Sequence, residues 1–315
     1  MTRALKVLVL DADAATLVAA LRAQIPAEVG LHGVARAEDV DPAAGFEVCL
    51  AQPDLFAAAA ERLPALRWVQ SSWAGVGPMV PVLRQRPGVA ATCAKGIFGT
   101  AVSEYVLGWL LALDRRLLDY SAQQRQGLWA PLPQRSLAGR KVLLLGVGSI
   151  GSAVASRLAS FGMDVVGVSR SGEQVQRVAR TWRSADRVGA ARGADLVVSS
   201  LPATPATRGV VDARLLAALA PGAVLINVGR GSAVNQDALL DALGSGHLRA
   251  AVLDVFDEEP LPAEHPLWTT SGVHITPHVA APTRPSDIAR LFAANLQRWR
   301  SGRPLEGLVD AGRGY

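Results

Sequence analysis

Gly146, Gly148 and Gly151 fall in the spacing G-x-G-x-x-G within KVLLLGVGSIGSAVASRLASF, residues 141–161. Residues 142–145 form the continuous apolar run that a parallel strand buried on both faces requires, and the residues after the glycines read as a helix. In that setting the glycines allow, in turn, a tight bend, close approach of the backbone to a pyrophosphate, and close packing of helix on strand. The helix then directs free N–H groups and the positive end of its dipole at the phosphates. The spacing points to a bound dinucleotide; the bland alternative is a tight turn that binds nothing.

The next strand, 164–169, decides which dinucleotide is expected. An acidic residue about 20 positions beyond the glycines would accept hydrogen bonds from the ribose hydroxyls and repel a 2′-phosphate. Here the strand runs into Ser169, Arg170 and Ser171, with no carboxylate. Arginine offers planar charge-assisted donors and serine adds hydroxyls, so NADP(H) is expected over NAD(H). The alternative is an ordinary surface turn in a basic protein.

Three ionisable residues stand just after later strand-like runs: Arg230 in NVGRG, Glu259 in LDVFDEEP and His278 in ITPHVA. Singly they read as a surface charge, part of a solvated acidic run and a structural histidine. Together, at the carboxyl edge of one sheet beside a nicotinamide cofactor, they form a candidate site for hydride and proton transfer. His274 and His278 are four apart, but Pro277 between them argues against one helix face, and no metal-ligand spacing is evident.

These residues need elements to hold them. Strands are expected at 6–10, 46–50, 67–71 and 89–92, with helices at 14–24 and at 54–63, the latter capped by Asp54. This alternation implies a small parallel α/β domain. Thr100 is the expected cap of one long helix over 101–126, apolar almost all round through Leu113. Six further strands follow at 141–146, 164–169, 195–200, 223–228, 250–255 and 273–277. Helices lie between most of them, at 150–160, 185–192, 212–220 and 236–243. That is the doubly wound dinucleotide-binding pattern. A last amphipathic helix over 284–301 returns to the N-terminal domain. The fold class expected is therefore α/β with two Rossmann-like or flavodoxin-like domains, one of residues 1–99 with 283–315 and an NADP-binding one of residues 100–282.

Composition agrees with that class. The chain has 315 residues, 50% apolar and 19% charged, with a formal net charge of +5. The basic residues are scattered, without the blocks or aromatic interleaving of a nucleic-acid surface, so a small anionic ligand is the expected partner. No run reaches the roughly 18–20 apolar residues that span a bilayer, and the N-terminal stretch MTRALKVLVLDAD reads as a strand, not a signal peptide. Two cysteines, Cys49 and Cys93, have no C-x-x-C partner and are expected as thiols in a reducing, cytoplasmic setting.

GVGSIG, LPATPATRGVV, NVGRGSAV, LDVFDEEPLPAEHPLW and ITPHVAAPTRP occur in an order and spacing that resembles the D-2-hydroxyacid dehydrogenase family over nearly the whole chain. Within it, the glyoxylate/hydroxypyruvate reductases of the A type are most similar. The resemblance implies that Arg230 binds the substrate carboxylate and polarises the keto oxygen. His278 is the implied general acid, and Glu259 hydrogen-bonds it, fixing its tautomer and favouring its charged form. It implies that the domain of residues 1–99 with 283–315 binds substrate, and that Ala74, Gly75 and Val76 hold the carboxylate through backbone N–H groups. It puts Val147, Gly148, Ser149 and Ile150 on the pyrophosphate, Leu201, Pro202, Thr207 and Val228 beside the dinucleotide, and Asp254 near the nicotinamide amide. Thr207 as a helix cap and Asp254 as a strand-end cap remain alternatives. Trp73 and Trp268 either border the substrate or pack in the core, and Lys95 is a possible added charge near the substrate. Cys93, His247, His265 and His274 match no catalytic role. The implied activity is NADPH-dependent reduction of glyoxylate and hydroxypyruvate by a homodimer. The alternatives are a reductase of larger 2-keto acids and a non-catalytic dinucleotide-sensing protein of the same fold. Formate dehydrogenase chemistry is disfavoured, because those relatives carry Gln where Glu259 stands.

Overall fold

In the computed structural model, which describes residues 5–315, the chain divides into two compact units, Met1–Ile97 with Thr283–Tyr315 and Phe98–Pro282. Residues 1–4, part of the stretch read above as lacking a signal peptide, lie outside the described residues.

The first unit contains β1 (Lys6–Leu10), α1 (Ala14–Arg22), β2 (Gly30–Val34), β3 (Val48–Ala51), α2 (Pro53–Ala59), β4 (Trp68–Ser71), α3 (Val80–Gln85) and β5 (Ala90–Thr92). Its strands are all parallel in the order β2-β1-β3-β4-β5, the flavodoxin-like order. Leu8, Leu10, Cys49, Phe56, Val69 and Met79 are among its buried core residues. β2 was not expected. Its sequence GLHGV has half-exposed and exposed positions throughout, because an edge strand needs no apolar run. α2 starts at Pro53, so Asp54 sits inside the first turn and does not cap it. Both cysteines are free, and burial pushes the Cys49 thiol far above the usual range.

The second unit contains α4 (Gly99–Asp114), α5 (Leu117–Arg125), β6 (Lys141–Leu145), α6 (Ser149–Ser160), β7 (Asp164–Ser169), β8 (Arg180–Arg183), α7 (Arg187–Ala191), β9 (Leu196–Ser199), α8 (Ala213–Ala218), β10 (Ala223–Asn227), α9 (Gln236–Gly244), β11 (Leu248–Leu253) and β12 (Val273–Ile275). Its sheet runs β12-β11-β10-β9-β6-β7-β8, all parallel. The order reverses between β6 and β9, the switch point where ligands of doubly wound sheets bind. β8 is a strand beyond the six expected; its RTWR is polar and lies at the far edge.

The expected long helix is two helices. Arg116 takes a left-handed φ of 56° between α4 and α5, and α4 begins at Gly99 with Phe98, not Thr100, at its N-cap. The break follows from partners distant in sequence. The buried Asp114 carboxylate pairs with Arg140 and, at 2.6 Å, with Arg249. Arg249 also donates to the Leu113 carbonyl at 3.3 Å and the Arg135 N–H to the Asp114 carbonyl at 3.0 Å. With its last carbonyls so engaged, the helix has no need to continue.

α10 (Pro285–Arg300) belongs to the first unit, where it packs on α1. Phe292 stacks on the buried Trp68 ring at 5.1 Å, and Asn295 Nδ2 donates to Gln70 Oε1 at 3.0 Å. Among the described residues no helix is long and apolar enough to cross a membrane.

Candidate active site

The glycine turn is built by steric necessity. Gly146 has φ 90°, and a Cβ on Gly151 would lie 2.0 Å from the Gly146 carbonyl oxygen. Helix α6 therefore presses directly onto the turn, and Ser200 Oγ donates to the same Gly146 carbonyl at 3.0 Å. Val147 is buried against Gly167, where a Cβ would come within 2.6 Å of its Cγ1. Gly148 differs: nothing lies within 4 Å of where its Cβ would sit. It forms the N-cap of α6 with Ser149 and Ile150 in the first turn and no side chain capping the helix. Tight packing at Gly146 and Gly151 with open space at Gly148 fits the pyrophosphate of a dinucleotide.

At the end of β7, Ser169 Oγ accepts the Gly172 N–H at 2.9 Å and Ser171 Oγ accepts the Glu173 N–H at 3.3 Å. Each hydroxyl oxygen is used as an acceptor, so each keeps its proton to donate. Arg170 is exposed between them. Leu201 and Pro202 follow β9. Thr207 does not cap a helix: its hydroxyl donates to the Pro202 carbonyl at 2.6 Å and accepts the Thr204 N–H at 3.0 Å, closing the turn that holds both. Val228 is buried just after β10, its N–H on the Ser199 carbonyl at 2.9 Å.

Arg230, Glu259 and His278 follow β10, β11 and β12, three neighbouring strands. Arg230 stands between two glycines that allow no side chain. A Cβ on Gly229 would lie 2.6 Å from the backbone N and O of Leu201, and one on Gly231 would lie 2.0 Å from the Phe256 carbonyl carbon. The loop carrying Arg230 is thus wedged between the loops after β9 and β11. Asn227 Nδ2 fixes it from below, donating to the Arg230 carbonyl at 3.0 Å, while Arg230 Nη1 donates to the Gly229 carbonyl at 2.6 Å. Burial pulls the guanidinium below its usual pKa, and the Glu259 carboxylate pulls the other way.

His278 Nδ1 lies 2.8 Å from Glu259 Oε2, and Glu259 Oε1 accepts the Phe256 N–H at 2.8 Å. The carboxylate is therefore held at both oxygens and the ring at one nitrogen. His278 takes a left-handed φ of 53°, uncommon for a residue with a side chain. Asp254 holds that conformation. It is buried, and its oxygens accept the Val279 N–H at 2.8 Å, the Ala280 N–H at 3.0 Å and the Thr276 hydroxyl at 2.6 Å. Its carbonyl accepts the His278 N–H at 2.8 Å. Asp254 thus anchors the loop after β12 as well as ending its own strand. Thr276 Oγ1 is also 2.6 Å from the Tyr105 hydroxyl. Thr276 spends its one proton on Asp254, so Tyr105 donates to Thr276. Burial pushes the Tyr105 phenol up to about 12, which keeps it a donor. Neither residue was expected from sequence: Thr276 sits inside ITPHVA, but Tyr105 is an ordinary helical position on α4.

Ala74, Gly75 and Val76 lie in the first unit, in the loop after β4. Ser71 Oγ closes this loop, accepting the Trp73 N–H at 2.9 Å, and Val76 is buried beneath it. The N–H groups of these three residues donate to no acceptor among the described residues. Trp73 is 38% exposed and Trp268 51%, so neither is core, and Lys95 is exposed. His247 bonds the Leu216 carbonyl, His265 accepts the Leu267 N–H, and His274 packs against the Trp109 ring. Cys93 is partly buried.

Known proteins resemble this chain in sequence and in fold. Residues 107–280 match the family model for the NAD-binding domain of D-isomer specific 2-hydroxyacid dehydrogenases. A relative from Serratia proteamaculans named glyoxylate/hydroxypyruvate reductase A is 40% identical over 214 residues, 68% of each chain. A D-isomer specific 2-hydroxyacid dehydrogenase family protein from Aeromonas salmonicida superposes with a TM-score of 0.90 at 39% identity, covering 98% of this chain and 99% of that one. An NADPH-dependent glyoxylate/hydroxypyruvate reductase from Sinorhizobium meliloti, solved with NADP and sulfate, superposes with a TM-score of 0.84 at 32% identity, covering 99% and 100%. With its dinucleotide turn and its arginine, glutamate and histidine on neighbouring strand ends, this chain belongs to the D-isomer specific 2-hydroxyacid dehydrogenase family of NAD(P)-dependent oxidoreductases.

Proposed function

We propose that this protein reduces small 2-keto acids, chiefly glyoxylate and hydroxypyruvate, with NADPH as the preferred cofactor. The observation that carries the reading is the 2.8 Å His278–Glu259 pair, on strand ends adjoining the one that bears Arg230. Bound NADPH supplies the hydride to the keto carbon. With Nδ1 turned to Glu259, Nε2 of the His278 imidazolium is the nitrogen that gives a proton to the keto oxygen. Glu259 fixes the orientation of the ring through Nδ1 and is itself held by the Phe256 N–H. Arg230 Nη1 spends one of its two protons on its own Gly229 carbonyl, and the remaining guanidinium N–H groups are donors for the substrate carboxylate and keto oxygen. We assign a substrate-carboxylate role to the unpaired N–H groups of Ala74, Gly75 and Val76. Preference for NADPH is supported by the Ser169, Arg170 and Ser171 turn, and the cofactor and substrates by the names of the Sinorhizobium and Serratia relatives.

We further infer a homodimer paired through the second unit, and a cytoplasmic site of action suited to two free thiols.

The test is steady-state turnover of glyoxylate, hydroxypyruvate and bulkier 2-keto acids with NADPH and with NADH. Highest kcat/KM for a bulkier acid would move the substrate assignment. Absence of turnover across the panel, alongside tight NADPH binding, would favour the dinucleotide-sensing alternative. His278→Ala is expected to lower kcat by about 10²–10⁴-fold with the NADPH Kd nearly unchanged; near-normal turnover removes His278 from its role.

A further inference from the structure

Arg183 ends β8, and the parallel register on β7 pairs it with Ser169. Paired residues of adjacent strands share a face of the sheet. The turn after β7 folds onto this side chain: Gly172, at φ 74°, lies so close that a Cβ there would sit 2.8 Å from Arg183 Cγ and 3.2 Å from its backbone N. The Arg183 stem therefore runs along the Gly172 backbone, and the residue is exposed beside Ser169, Arg170 and Ser171. Two neighbouring arginines are engaged elsewhere. Arg180 stacks over the Trp182 ring at 3.8 Å, and Arg187 bonds Asp212 at 2.8 Å and the Val210 carbonyl at 3.1 Å. Arg183 makes no ion pair among the described residues.

Charge makes the placement functional. Residues 169–173 carry Arg170 and Glu173 and sum to zero charge; Arg183 adds one positive charge beside them. We propose that Arg183 is a second cation of the adenosine 2′-phosphate subsite, closing with Ser169, Arg170 and Ser171 around a phosphate monoester. The proposal rests on the NADP(H) reading above and names a residue that sets its selectivity. A phosphate monoester carries about −1.5 to −2 charge at neutral pH with three strong acceptor oxygens, more than one arginine fork can satisfy.

Calorimetric titration of wild type, Arg183→Gln and Arg177→Gln with NADPH, NADH, adenosine 2′,5′-bisphosphate and adenosine 5′-monophosphate tests this without turnover. Arg177 precedes β8 and serves as a matched removal of charge. Arg183→Gln is expected to weaken NADPH and the bisphosphate by roughly tenfold or more, while NADH and the monophosphate change by less than about twofold. Arg177→Gln is expected to shift all four by less than about twofold. A loss shared equally by phosphorylated and unphosphorylated ligands, or no loss, overturns the role of Arg183. If wild type binds the bisphosphate no more tightly than the monophosphate, the NADP(H) reading itself falls and the clamp with it. A phosphate preference that survives intact in Arg183→Gln removes only the clamp.

Discussion

Asp254 accepts three donors from the loop after β12, and through Thr276 it is linked to Tyr105 on α4. The left-handed backbone at His278 is maintained by this buried carboxylate, so the aim of the imidazole depends on groups that never face a substrate. Thr276→Val removes one charge-assisted bond from Asp254 and leaves the Tyr105 hydroxyl without its acceptor. Such bonds are worth about 1.5–3 kcal/mol, and kcat is expected to fall roughly tenfold. Thr276→Ser should restore it, and the NADPH Kd should hold in both variants, as measured by turnover and fluorescence titration. Equal kcat in Thr276→Val and wild type would show that the loop holds without it. Arg230, Glu259 and His278 were legible in the sequence because each follows a recognisable strand. Tyr105 was not, because its partner lies 171 residues away.

Among the elements, the glycines divide by what surrounds them. Gly231 faces the backbone of Phe256 and Asp257, which cannot yield as a flexible side chain would, so Gly231→Ala must push apart the loops that carry Arg230 and Glu259. Overpacking of this kind costs about 1–3 kcal/mol, and misplacing the site by about 1 Å costs on the order of 10²-fold in kcat/KM. Gly148→Ala meets open space, so its thermal midpoint should stay near wild type while its NADPH Kd rises. The two variants should separate cleanly in a thermal melt paired with an NADPH titration; a destabilised Gly148→Ala would contradict the open space above α6. Most strands announce themselves through apolar runs, as in KVLLL and AVLIN, but β2 and β8 do not. Edge strands are buried on fewer sides, and their pairing is decided by the neighbour they find.

At the scale of the whole molecule, each unit has its own parallel sheet and its own buried core. The second unit also exposes Leu117, Leu118, Leu128 and Trp129, the last 97% exposed, near one another in sequence. Large apolar side chains left exposed commonly mark an interface, which supports the homodimer inferred above. Light scattering after gel filtration is expected to give about twice the 33.0 kDa chain mass, a doubling that isologous pairing predicts. Trp129→Arg is expected to shift the population to monomer with the cofactor still bound. A monomeric wild type, or a dimer indifferent to Trp129→Arg, would refute pairing through this surface.

Sequence by itself determined the dinucleotide turn, the alternation of strand and helix, and the residues at the ends of β7, β10, β11 and β12. These features are local: glycine spacing, apolar runs and the residues after a strand are read within a few positions. Tertiary structure alone decided that α4 stops at Asp114, that Asp254 anchors His278, and that Arg183 adjoins Ser169. Each of those outcomes depends on a buried charge or a strand edge meeting partners far along the chain, and no local pattern records which partner arrives.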